Sequence, residues 1–284
     1  MPLFLINQTS DVGIKTPFPS GLQCIAIQTI NSIDQDIYLY AGEYFLSFYL
    51  QKRANYIVNP ISVSIAGTVI ITVSTIPEVW TLYTVKFSVL TSSVINLKFS
   101  GVETNDSTTA VDFISLLQLY QGLTFAGYSG YNDSNPNYFI GKTPLKSGYS
   151  SIFTNLTTST NGTYIVDVGD SFAIQWTGYF LCNETGTWTF SNSSDDNSYL
   201  WLGDTAKTGN FTKANCLIDN SGDHSMQTVT KTINLLTDTI YPIRIQFGEN
   251  GGGNDINVYF IKPSGGTTKI YDGTGYYFNN SISI

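Results

Sequence analysis

Tyr44, Leu46, Phe48 and Leu50 occupy alternate positions of one short run. That spacing gathers all four on one face of a strand and spreads them around a helix, so the run must be extended to bury them together. Comparable runs recur at 23–29, 62–73, 82–89, 94–99 and 111–120, and further on at 171–180, 185–191, 199–202, 227–235, 240–247 and 256–261. Gly, Pro, Asn and Asp punctuate them, as they do at strand ends. Composition agrees. Ser and Thr together number 63, Tyr 19 and Phe 17, while Ala, Glu, Lys and Arg are scarce, a bias toward residues that suit a pleated surface. A lone sheet would leave an apolar face in water, so strands in this number predict an all-β chain of two β-sandwiches or jelly rolls in tandem.

The chain changes style near Gln121-Gly122, where a loop-rich stretch at 127–151 precedes the second series of strands. We place the boundary there, giving domains 1–121 and 122–284. Their net charges are −3 (5 basic, 8 acidic residues) and −5 (8 basic, 13 acidic residues). With a total of −8 and no basic run, the chain offers nothing to displace counterions from phosphates, so nucleic acid is not an expected partner. The single histidine, His224, removes most zinc and Ser-His or Cys-His chemistry, and it reads as a solvated turn residue. No stretch reaches the roughly 18 apolar residues of an integral membrane segment. No signal peptide is visible, because Pro2 to Ile6 is too short for a signal-peptide core. Cys24, Cys182 and Cys216 allow at most one internal bridge. Cys182 and Cys216 are the candidate pair, a choice that spacing alone leaves open.

One motif stands above the rest: Ser193-Ser194-Asp195-Asp196-Asn197, with a strand beginning at once behind it. Adjacent carboxylates in a turn repel each other unless a cation, hydrogen bonds or solvent compensates. Calcium takes six to eight oxygens, which paired Asp, side-chain amides and loop carbonyls supply. The second loop that closes such a site is best sought at 250–255, where Asn250, Asn254 and Asp255 frame three glycines. The competing reading is a solvated turn. Paired carboxylates that hydrolyse a glycoside stand roughly 5–9.5 Å apart across the sugar. Asp195 and Asp196 are too close in sequence for that, so no enzyme is expected. Trp176, Trp188 and Trp201 lie in alternating strands and are expected in the core. Tyr128, Tyr131, Tyr138 and Tyr149 are candidates for a ligand rim.

From about Gly122 to Gly275 the chain resembles the protective-antigen type (PA-fourteen) β-sandwich family, with relatives among the flocculins and GLEYA adhesins. The resemblance lies in SFAIQWTGYFLCNETGTWTFSNSSDDNSYLWLGD, residues 171–204, and YPIRIQFGENGGGNDINVYF, residues 241–260. It implies a non-enzymatic domain in which the paired-Asp turn contains a cis peptide and holds Ca2+, and the ion coordinates two glycan hydroxyls. Carried over by position, Asp195, Asp196 and Asn250 would hold the metal, and Asp195, Asp196, Asn250, Gly252 and Asn254 would meet the carbohydrate. The chain departs from the fungal adhesins in having three glycines where they often place a sugar-contacting aromatic, and in lacking their Cys-rich N-terminal segment. The first half resembles galactose-binding-like jelly rolls through AGEYFLSFYLQ, residues 41–51, EVWTLYTVKFSVLTSSVINLKFSG, residues 78–101, and AVDFISLLQL, residues 110–119. These motifs imply the fold and name no ligand.

The resulting expectation is a lectin or adhesin-like surface protein, extracellular or on a virion surface, whose partners are glycans or glycoproteins. The alternative is a structural minor capsid or virion-surface assembly protein of a large virus, with both sandwiches in contact with other capsid or surface proteins.

Overall fold

The computed structural model describes residues 13–151, 170–207, 209 and 211–280, together with the backbone of the strand at 3–7. The chain divides into two compact units, Met1–Leu119 and Tyr120–Ile284.

The first unit contains β1 (Leu3–Asn7), β2 (Gln23–Gln28), β3 (Ser32–Leu39), β4 (Gly42–Lys52), β5 (Ile61–Ile65), β6 (Thr68–Val73), β7 (Thr81–Val89), β8 (Ser93–Gly101) and nearly all of β9 (Thr108–Gln121). One antiparallel sheet runs β1-β2-β9-β4-β7 and the other β3-β8-β5-β6. Tyr44, Leu46, Phe48 and Leu50 of β4 all face the core between them, joined by Val63 of β5 and Phe99 of β8. Phe48 meets Phe99 edge-to-face at 5.1 Å, which ties one layer to the other. The run at 62–73 is two strands: Ala66 and Gly67 both take positive φ and make the hairpin turn that splits it.

The second unit contains β10 (Leu123–Ser129), β11 (Lys146–Ser150), β12 (Phe172–Cys182), β13 (Gly186–Asp195), β14 (Ser198–Leu202), β15 (Ile218–Asn220), β16 (Gln227–Leu235), β17 (Thr239–Glu249), β18 (Asp255–Ile261) and β19 (Tyr277–Asn279). Its larger sheet runs β11-β10-β12-β17-β14-β15, with β19 beside β12 and paired to Tyr120 and Gln121. Its smaller sheet runs β16-β13-β18. Trp176, Phe180 and Phe247 from the first pack against Trp188, Phe190 and Phe260 from the second. Phe180 sits 5.2 Å from both Trp188 and Phe260. Trp176, Trp188 and Trp201 are all fully buried, as expected of core residues, although Trp201 joins a separate cluster with Tyr199 and Phe211.

Cys182 and Cys216 form no bridge: both are free thiols, Cys182 bonding the Glu184 carbonyl and Cys216 the Lys213 carbonyl. The disulfide expected as a candidate is thus corrected. No helix among the described residues is long and apolar enough to cross a membrane.

Candidate metal centre

The site forms where the two layers of the second unit exchange the chain. β13 belongs to the smaller sheet and β14 to the larger, and only Asp196 and Asn197 separate them. Asp195 is therefore the last residue of a strand, opposite Asp255 at the start of β18. The Asp195-Asp196 peptide bond is cis. β17 ends at Glu249, and the 250–254 loop that follows returns the chain to the smaller sheet.

A set of amides holds this crossing. Asn197 donates from Nδ2 to Asn132 Oδ1 at 2.8 Å, and its carbonyl accepts the Gly248 N–H at 2.9 Å. A Cβ at Gly248 would lie 2.0 Å from Asn132 Oδ1, so only glycine admits this approach. Asp196 is buried, and both its oxygens accept backbone N–H groups: Oδ1 from His224 at 2.8 Å and Oδ2 from Asn250 at 2.9 Å. Asn250 itself donates from Nδ2 to Asp223 Oδ2 at 2.7 Å. Gly252 takes φ +101, a conformation that favours glycine, and a Cβ at Gly253 would lie 2.7 Å from Asp195 Oδ2.

One carboxylate oxygen from each of Asp195, Asp196 and Glu249 lies within 4.8 Å of the other two. Glu249 is 0% exposed, and neither of its oxygens receives a well-formed hydrogen bond among the described residues. Burial, and then the charges of Asp196 and Asp195, push its carboxyl up to about 8, against a weaker opposing effect of the Gly251 amide. Asp196 is also raised, by burial first and by neighbouring Asp223, in spite of its two N–H donors. Asp255 is raised by burial, against the opposing effects of Asn257 and the Ile256 amide, and its Oδ1 receives no well-formed hydrogen bond among the described residues. No ion pair joins Lys or Arg to any of these acids among the described residues.

Three converging carboxyl groups, one of them fully buried and without a well-formed hydrogen bond among the described residues, match the donor set of a hard cation. A calcium ion here would draw on Asp195, Asp196 and Glu249, with further oxygens needed to complete its six to eight ligands. The arrangement brings Asp195 and Asp196 together, as sequence reasoning expected. The side chain of Asn250 is committed to Asp223, and its recorded link to the acids is its backbone N–H. Asn254 is half-buried beside the glycines.

Sequence reasoning missed Glu249, although a signal was present. Ile243, Ile245, Phe247 and Glu249 share one phase of β17, so the acid falls where the core continues. His224 also proves more than a solvated turn residue, because its backbone N–H orients Asp196. Among the rim candidates, Tyr128 is buried against Phe139, Tyr138 bonds the Ser129 carbonyl, Tyr149 is exposed on β11, and only Tyr131 comes within electrostatic reach of Asp196 and Asp223.

Residues 172–262 match the family model described as the GLEYA domain. That span runs from the start of β12 to the residue after β18 and includes every acid of the cluster, in agreement with the motif resemblance. None of the curated proteins matches the chain in sequence. Among solved structures, the PA14 domain of the antifreeze protein MpAFP aligns at 16% identity over 59% of this chain and 95% of that one, with a TM-score of 0.46. The epithelial adhesin 9 A domain from Candida glabrata, solved with Galβ1-3GlcNAc, aligns at 17% identity over 58% and 92%, with a TM-score of 0.45. An anti-sigma factor domain-containing protein from Clostridium clariflavum aligns at 16% identity over 94% and 90%, with a TM-score of 0.42.

Proposed function

We propose that the second unit is a calcium-dependent carbohydrate-binding domain of a non-enzymatic, adhesin-like surface protein. The observation that carries this reading is Glu249, a fully buried carboxyl that receives no well-formed hydrogen bond among the described residues, with one oxygen set within 4.8 Å of an oxygen of Asp195 and of Asp196. Three carboxyl groups at that separation in a partly dry site cannot all ionise without strong mutual repulsion unless a cation is present, which is the direction of the rise of Glu249 to about 8. The GLEYA match over the same residues supports a sugar as the ligand that the ion would present.

In this reading Asp195, Asp196 and Glu249 fix the ion, the Asn250 and His224 amides hold Asp196 in place, and Gly253 lets the second loop close against Asp195. Calcium supplies the electrophilic centre to which vicinal sugar hydroxyls bind in place of water. Gly252, Asn254 and the half-buried Tyr131 would serve as the rim. Each site would bind weakly, so adhesion would depend on several copies engaging together.

The test is calorimetry with calcium on wild type, Asp196→Ala and Glu249→Gln, followed by a glycan array read with calcium and with EGTA. We expect heat of binding in wild type, at least a tenfold loss in either variant, and array signal only with calcium. Equal heats in all three proteins would remove the metal site. Calcium binding with no calcium-dependent glycan signal would leave a structural metal and end the lectin reading.

A further inference from the structure

A cavity lies away from the acids. Along β17 the core phase is Ile243, Ile245 and Phe247, so Arg244 and Gln246 project from the opposite face of the larger sheet. There they line a cavity of about 280 Å³ together with Pro136, Phe139, Gln175, Lys207 and Phe211. The walls are tied in place. Asn137 donates from Nδ2 to the Phe211 carbonyl at 2.8 Å and accepts the Phe211 N–H at 3.0 Å, while Gln246 donates to the Pro136 carbonyl at 2.9 Å.

Arg244 is the unusual member. Its guanidinium lies 4.2 Å from the Phe211 ring centre, and Nη1 donates to Gln175 Oε1 at 2.5 Å. Its Nε is buried without a hydrogen-bond partner, and no carboxylate pairs with it among the described residues. Burial lowers its pKa, the direction expected of a cation removed from water without an anion. Gln246, wholly buried and lining the cavity, has an Oε1 that is also without a partner among the described residues. Lys207 stands exposed at the mouth, in a loose 3.5 Å pair with Asp204.

We propose that this cavity is a binding site for a small organic carboxylate, recognised by Arg244. A guanidinium presents a planar fork that a carboxylate meets with two parallel hydrogen bonds, and such charge-assisted pairs are about twice as strong as neutral ones. Phe139, Phe211 and Pro136 give apolar walls suited to a carbon body, which favours an organic acid over an inorganic oxyanion. The volume is near the small end of ligand pockets, the size of a single sugar or amino acid. Lys207 adds a second positive charge where the anion enters. Arg244 is five residues along β17 from Glu249, roughly 16 Å at strand rise, so the two sites are separate.

The experiment exploits a favourable count, since the chain holds only two arginines, Arg53 and Arg244. A ¹⁵N spectrum of the arginine Nε–H groups therefore carries two signals, and Arg244→Gln assigns them. Sodium glucuronate should shift the Arg244 signal saturably, and glucose and sodium sulfate should not. Lys207→Ala, at an exposed position with little bearing on folding, should weaken glucuronate binding several-fold. Asp196→Ala should leave it unchanged, so this result stands or falls apart from the calcium reading. A stationary Arg244 signal under glucuronate would overturn the site, and so would binding that survives Arg244→Gln. A sulfate shift as large as the glucuronate shift would overturn the assignment to organic acids.

Discussion

At the scale of the single residue, Glu249 shows how a small departure from pattern marks a site. An acid in the core phase of a strand is an expense that packing does not explain. In metal-free buffer above about pH 8, where Glu249 is ionised, Glu249→Gln removes one of three clustered charges and should raise the melting temperature of the second unit, by an amount corresponding to roughly 1 kcal/mol. With calcium the order should reverse, because wild type gains binding energy that the variant cannot. Differential scanning calorimetry in EDTA and in calcium reads both halves, and a variant that melts alike in the two buffers with wild type unchanged would deny Glu249 its role. Asp195 and Asp196 were legible in the sequence because two acids adjoin in one motif. Glu249 was not, because its neighbours Asn250 and the glycines read as loop, and the strand reading at 240–247 stopped two residues short of it. Asn132 and Asn197 were illegible for another reason: the contact between them spans 65 positions, and nothing local announces it.

At the scale of the element, the loop between β17 and β18 and the strand pair β4–β7 each support a prediction. Gly253 does not take positive φ, so alanine is conformationally acceptable there, yet its Cβ would sit 2.7 Å from Asp195 Oδ2. Gly253→Ala should therefore fold normally and lose about tenfold in calcium affinity, as expected when the support of a ligand is disturbed; an unaltered affinity would show that the loop yields freely. In the β4–β7 pair, Glu43 bonds Lys86 at 2.7 Å and also accepts the Ser88 hydroxyl. Its carboxyl lies below the ordinary carboxylate range, chiefly through the Lys86 and Ser88 hydrogen bonds. A depressed carboxylate contributes stability above its unfolded pKa, and that contribution disappears as pH falls through the folded value. Lys86→Met should thus cost under about 1 kcal/mol at neutral pH, the usual worth of an exposed pair, and the difference from wild type should vanish in acid. Urea titrations at two pH values decide it. The strongly alternating strands were legible, whereas β3 was not: Asp34, Gln35 and Asp36 interrupt its apolar pattern, and only pairing with β8 makes it a strand. β11 and the end of β10 were hidden in the 127–151 stretch, whose glycines and tyrosines read as irregular loop.

At the scale of the whole molecule, two hydrophobic cores form separately, one around Phe48 and Phe99 and one around Trp188 and Phe180. Trp188 is fully buried, and its indole N–H bonds the Glu184 carbonyl at 2.8 Å. Trp188→Ala should cost about 3–5 kcal/mol, as large aromatic truncations in a core do. In hydrogen-exchange mass spectrometry of the full chain, the loss of protection should fall on β12–β19 and leave β2–β8 as in wild type. Protection lost equally in both units would show that they unfold as one. The all-β tandem was legible because period-two alternation survives in most strands of both cores. The partner strands and the order of the sheets were not, since they follow from contacts distant in sequence.

The crossing at Asp195 and Asp196 has a mechanical side. Asp195 ends a strand of one layer and Glu249 ends a strand of the other, so an ion clasped by both would act as a rivet through the rim of the sandwich. If the reading proposed above holds, the protein would be stiffest at the point where a pull on its ligand enters, and the rivet would be in place only when calcium is at hand.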